Sequence, residues 1–234
     1  MTPSQNPSIY IGGFRIDEPI TALTDIIFCL VCFYAYSKTK PTSSYIATKL
    51  YSYFFLTTGI STLIAAIVGH AFLYYFGKDA KIYGWILGIF SISFAQFAAL
   101  YNTKSIIQSK LFKTIFFILC LETIIAFIAT FYFWTFIVVI IHTTFSLLIV
   151  ATSLEYLKYK NEKSELSKYI LIGVGVLIIA SLCHILKLGF GKWFNHLDVS
   201  HVFMTIGIYS MYLGVKKYNK QLTKTTHHDY TSST

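Results

Sequence analysis

Charge is scarce in this 234-residue chain: Asp, Glu, Lys and Arg make up 12% of it, against roughly 25% in soluble domains. Hydrophobic residues reach 55% and aromatics 18%. An ordinary soluble domain is excluded, and the composition is that of an integral membrane protein. Long connections are also missing. The longest runs to about a dozen residues, which leaves no room for a soluble domain, and no internal repeat is found. A basic leader and an A-x-A cleavage site are absent from the first apolar run, which carries Asp25, so that run is expected to remain as a helix and not to be removed as a signal peptide.

Seven apolar runs are present: Pro19 to Ser37, Leu50 to Phe76, Ile82 to Tyr101, Leu111 to Phe131, Trp134 to Leu157, Tyr169 to Lys187 and Leu197 to Val215. Each is near the ~20 residues that a helix needs to cross the hydrocarbon. The expected fold is therefore all-α, a single bundle of seven transmembrane helices over residues 1–222, followed by a polar and disordered tail, 223–234.

Basic residues orient it. Lys38, Lys40, Lys49, Lys104, Lys110, Lys113, Lys158, Lys160, Lys163, Lys168, Lys216, Lys217, Lys220 and Lys224 fall on one side of the spans, whereas Arg15, Lys78, Lys81, Lys187 and Lys192 fall on the other. Short lysine-rich loops stay cytoplasmic, so the N-terminus is expected outside and the C-terminus inside. The net charge of +9 then follows from topology and anionic head groups, with no nucleic-acid partner required.

The titratable residues in the spans are placed one-sidedly. Glu18 and Asp25 occupy the first two turns of helix one, His70 the outer end of helix two, and His184 the outer end of helix six. His196, Asp198 and His201 open helix seven, and His142 lies about two turns into helix five. Only Glu122, midway along helix four, stands apart. Ionisable groups are costly in a bilayer, so such a convergence points to a functional pocket, and imidazole is a common metal ligand. Glu18, just before Pro19, also reads as a helix cap. Asp25 is seven residues on, hence on the same face, and needs a partner. Asp198 between two histidines has the make-up of a carboxylate that orients zinc ligands.

Other signals are bland. Cys29 and Cys32 have C-x-x-C spacing inside an apolar helix, where cysteine packs as a small hydrophobe. Gly173, Gly175, Gly84 and Gly88 read as close helix packing. Leu197 to Val215 contains no lysine, which argues against a retinal Schiff base.

With a histidine late in helix two and histidines at the start of helix seven, the chain resembles the CREST superfamily of seven-helix membrane hydrolases, which includes the alkaline ceramidases and adiponectin receptors. The resemblance implies a zinc ion held by three histidines and hydrolysis of amide bonds in lipids. Carried over, His70 and His201 are ligands, with His196 or Asp198 in place of the remaining one, because Leu197 stands four residues before His201. Asp79 answers to the family's helix-three aspartate, and Glu18 or Asp25 to a helix-one acid. The family's serine four residues before the helix-two ligand is Ala66 here.

The chain is also similar to bacterial seven-helix proteins with a comparable helix-one acid pair, which implies a bacterial plasma-membrane location. The expected activity is zinc-dependent hydrolysis of a lipid amide or ester from the outer leaflet, with metal at His70, His196 and His201 and proton transfer by Asp198, Asp25, Glu18 or Asp79. The same acids and histidines would also serve an ion- or proton-coupled transporter, and a binding or receptor role draws on them too.

Overall fold

A computed structural model describes residues 7–39 and 45–231, with side chains as far as Leu222. Lys40 and the side chains of Lys224, His227 and His228 lie outside the described residues. The chain opens with a β-hairpin, β1 (Ser8–Ile11) and β2 (Phe14–Asp17), in antiparallel register from Ser8 opposite Asp17 to Ile11 opposite Phe14. Gly12 and Gly13 form its turn with φ of +56° and +83°, the left-handed pair that a tight two-residue hairpin demands. Its G-G turn between alternating residues was a readable strand signal that the all-α expectation passed over.

Long helices follow: α1 (Pro19–Thr39), α2 (Ile46–Ala71), α3 (Ile82–Asn102), α4 (Ser109–Phe133), α5 (Phe136–Glu162), α6 (Glu165–Ile185) and α7 (His196–Thr231). Six of these spans, α1 to α6, are long and apolar enough to cross a membrane. Their outward faces carry Leu30, Ile124, Ile128, Phe117 and Ile149, each at least half exposed. Apolar surface on that scale belongs against lipid, and the chain is a multi-pass integral membrane protein. α7, the seventh expected span, packs along α6 and α1.

Two boundaries differ from expectation. The second apolar run does not continue to Phe76 as one helix: it ends at Phe72 (φ −115°, ψ 31°), and Leu73–Phe76 forms a separate turn. Helix seven does not stop at Val215, since its backbone stays helical to Thr231 through part of the segment expected to be disordered. Composition there is polar, and apolar periodicity alone had marked the end.

Within the bundle α1 packs on α2 and α7, α2 on α3, α3 on α4 and α5, and α6 on α7. Phe28, Cys32, Phe54, Phe55, Leu100, Leu166, Ile170 and Tyr212 belong to one buried core. Cys29 and Cys32 are both buried and unpaired, in keeping with a packing role. α4 is the peripheral helix, burying only Leu119, Ala126 and Thr130.

The α6–α7 contact depends on glycine. A Cβ on Gly173 would lie 2.5 Å from Met211 Cγ and 2.8 Å from the Gly207 carbonyl oxygen, and one on Gly214 would lie 2.8 Å from Tyr169 Cβ. Gly175, by contrast, has nothing within 4 Å of such an atom, so only one of the two α6 glycines is used for close approach. Gly173→Ala should lower stability by about 1–3 kcal/mol through overpacking, while Gly175→Ala should be neutral. Thermal unfolding of both variants in detergent measures the difference, and equal behaviour would remove the close approach as a constraint.

Candidate functional site

The sharpest site lies at the hairpin end, where α1, α2 and α7 meet. Asp17, at the end of β2, accepts from Ser8 Oγ at 2.7 Å, Arg15 Nε at 2.7 Å and the Tyr74 backbone N–H at 3.0 Å. This ties the hairpin to the turn after α2. The next residue, Glu18, has a left-handed backbone (φ +45°) ahead of Pro19, a conformation that costs a non-glycine residue energy. Its carboxylate does not serve only as a helix cap: Oε2 lies 2.5 Å from His70 Nδ1.

His70 sits in a π-helical stretch, Ala65–Ala71, that ends α2. Such wide turns recur at functional sites. Its other nitrogen, Nε2, faces Asp25 Oδ2 at 3.6 Å. From α7, His201 Nε2 approaches Asp25 Oδ1 at 3.4 Å, and His201 Nδ1 lies 3.0 Å from Thr24 Oγ1. Asp25, 2% exposed, is thus held between two imidazoles, one oxygen to each.

The hydrogen-bond directions carry a chemical consequence. Thr24 donates its hydroxyl to the Thr21 carbonyl, so it accepts from His201 Nδ1–H, and a neutral His201 turns a bare Nε2 lone pair toward Asp25. His70, donating Nδ1–H to Glu18, does the same. Two bare nitrogens and a carboxylate repel unless positive charge sits among them, either as protons on these groups or as a metal cation. Asp25 Oδ2 has no hydrogen-bond partner among the described residues. Lys81, Asp198 and Glu18 are other charges that act on it.

The structure redistributes the remaining expected residues. His196, taken as a third ligand, pairs with His184, with ring centroids 5.3 Å apart, because α7 begins at His196 and turns that ring toward the end of α6. His184 is in turn close enough to His201 for their charges to interact. Asp198 is fully buried and accepts from the Asn195 backbone N–H at 2.6 Å, while its Oδ1 has no partner among the described residues. Asp79 lies in an exposed turn, Lys78–Lys81, and none of the described hydrogen bonds or ion pairs joins it to the cluster. Among the described residues no set of three or more His, Cys, Asp or Glu side chains is arranged, as it stands, to hold a metal ion.

His142 and Glu122 form a cluster of their own. Glu122 Oε1 lies 2.7 Å from His142 Nδ1, and α5 becomes π-helical directly after this histidine, over Thr144–Ala151. A third polar cluster, at the lysine-rich end, was not anticipated at all. Glu155, fully buried, accepts from Tyr51 Oη at 2.6 Å and Asn102 Nδ2 at 2.7 Å, and Asn102 also reaches Ser167 at 3.1 Å. Glu155 falls within the fifth apolar run and was not singled out in the sequence; the packing of α2, α3 and α6 around it makes it a buried tie.

No curated protein and no solved structure matches the chain. A family model does, over residues 20–220, which runs from the start of α1 into α7 and leaves out the hairpin. On that match the chain belongs to DUF6962, a family of unknown function.

Proposed function

We propose that the hairpin-end cluster is the centre of a metal-dependent, zinc-using intramembrane hydrolase acting on a lipid amide or ester. One observation carries the reading: two imidazoles direct Nε2 at the same buried carboxylate while Glu18 and Thr24 hold their Nδ1 atoms. Histidine ligands are commonly fixed in this way through the far nitrogen. The N···O separations of 3.4 and 3.6 Å also lie near the ~3.3 Å edge of a tetrahedral shell with zinc–ligand distances of about 2.0–2.1 Å.

His70, His201 and Asp25 would hold the ion, which moves Asp25 from the proton-transfer role read from the sequence to a ligand role. The ring centroids of His70 and His201 stand 6.4 Å apart, so closure on an ion requires the side chains to shift. Zinc bound there would supply Lewis acidity toward a carbonyl group or a water molecule. Glu18 keeps the proton on His70 Nδ1, and Thr24 keeps the His201 ring in its orientation. Asp198 Oδ1, buried and without a partner, is the available proton acceptor. A small recess beside Glu18 is lined by Thr21, Lys192, Trp193 and Asn195.

The reading includes seven spans with the hairpin outside, in a bacterial plasma membrane, and an outer-leaflet substrate. An ion- or proton-coupled carrier would instead need polar groups stepping to the lysine-rich end. The described hydrogen bonds fall into separate clusters around Asp25, Glu122 and Glu155, which favours a site closed on that side.

Protein purified without a histidine tag should carry about one zinc per chain, lost in His70→Ala and His201→Ala but kept in His196→Ala. Elemental analysis reads this directly, and a metal-free protein whose thermal stability ignores chelators would overturn the metal centre. Purified protein in detergent should release fatty acid from an N-acyl or O-acyl lipid. Glu18→Gln should slow that release by about 10- to 100-fold at an unchanged melting temperature. No release from either lipid class by a folded, zinc-loaded protein would end the hydrolase reading.

A further inference from the structure

Midway along the 25-residue α4, Glu122 is a carboxylate in the helix that buries least. Its side chain is 21% exposed, whereas its partner His142 is fully buried. The hydrogen bonds around the pair fix its proton content. His142 Nε2 lies 3.1 Å from the Ile89 carbonyl oxygen, which only accepts, so Nε2 carries a hydrogen. Nδ1 then meets Glu122 Oε1 at 2.7 Å, a bond that requires one more proton, held by the nitrogen or by the carboxyl. In either form the pair is electrically neutral and contains one proton that could be exchanged.

The surroundings are oxygen-rich. Ser93 donates to the Ile89 carbonyl at 2.9 Å and lies 3.1 Å from Thr123 Oγ1. Gln96 Nε2 reaches Thr123 Oγ1 at 3.1 Å and Glu122 Oε2 at 3.5 Å. Gln96 is fully buried, and its Oε1 has no hydrogen-bond partner among the described residues. A buried amide oxygen left without a donor costs stability, and its amide group is already against Glu122 and Thr123. Carboxylate, amide and hydroxyl oxygens without sulfur are the ligand set of a hard cation. Among the described residues no other charged side chain pairs with either group. α3 has none between Ile82 and Asn102, α4 has only Lys110 and Lys113 near its start, and α5 has Glu155, Lys158, Lys160 and Glu162 near its end.

We propose that Glu122, Gln96, Thr123 and Ser93 form a monovalent-cation site inside the membrane, at which a sodium-sized ion replaces the proton that Glu122 and His142 share. On exchange the proton leaves, His142 stays neutral with Nε2–H on Ile89 and its bare Nδ1 turned to the ion, and rotation of the Gln96 amide brings Oε1 to the ion. The net charge of the site is unchanged, which is what a low-dielectric position requires. A divalent ion would leave one charge uncompensated. The site is separate from the Asp25 cluster, and its failure would leave the hydrolase reading untouched.

The test uses an apolar carbodiimide, which reaches lipid-facing carboxyls and modifies their protonated form. In detergent-solubilised full-length protein, Glu122 should be labelled in choline chloride. Sodium chloride at about ten times its dissociation constant should slow labelling by roughly tenfold. The sodium concentration needed should rise about tenfold for each unit of pH lowered while the pair is protonated, because one proton is displaced per ion. Gln96→Leu and Thr123→Val should remove the protection and leave labelling in choline intact. Labelling of the unmodified chain that is the same in sodium, lithium, potassium and choline at every pH would overturn the proposal and leave a proton-only pair.

Discussion

A carboxylate inside a membrane protein must obtain from neighbouring helices what water would otherwise give it, and Asp25 sets this requirement for the hairpin end of the bundle. It is buried in the second turn of α1, where no backbone N–H is free to serve it. Histidines from α2 and α7 reach its two oxygens. The contact therefore holds α1 against both neighbours only when a proton or a cation is shared among the three groups. Glu18 and Thr24 fix the imidazoles in turn, and Asp17 anchors the hairpin over the assembly through Arg15, Ser8 and the Tyr74 amide.

The chain meets the same requirement differently elsewhere. Glu155 is surrounded by neutral donors, Tyr51 and Asn102, and its network joins three other helices at the lysine-rich end. That arrangement satisfies the carboxylate and leaves it nothing to do, which is the signature of a structural tie. Glu122 is paired with an imidazole and has an unsatisfied amide oxygen beside it. Asp25 faces two ring nitrogens that have no proton to offer when neutral. The three acids thus run from fully satisfied to electrostatically incomplete, and chemistry belongs at the incomplete end.

Backbone geometry places these groups. Close contact at Gly173, Gly207 and Gly214 brings α7 against α6, and α7 carries His201 and Asp198 into the site. π-helical turns at Ala65–Ala71 and Thr144–Ala151 lie at or beside His70 and His142, each of which has a carboxylate partner. A wide turn changes the phase of the residues around it, so that a ring can point inward where regular helix would have aimed it differently.

Much of this was written in the sequence. Hydropathy alone defines the membrane class and the spans α1 to α6, because a bilayer admits little besides apolar helices of sufficient length. The cost of burying charge singles out Glu18, Asp25, His70 and His201 without any knowledge of contacts. Spacing along one helix could not say which histidine joins which acid: His196 and His201 are neighbours in sequence, yet one turns to His184 and the other to Asp25. Glu155 was not singled out and is buried among donors, and Glu122 looked isolated and is paired. Sequence determines what each helix must hide, since that depends on the side chains alone, while tertiary structure decides which partner hides it, since only the relative depth and rotation of different helices bring donors and acceptors within bonding distance.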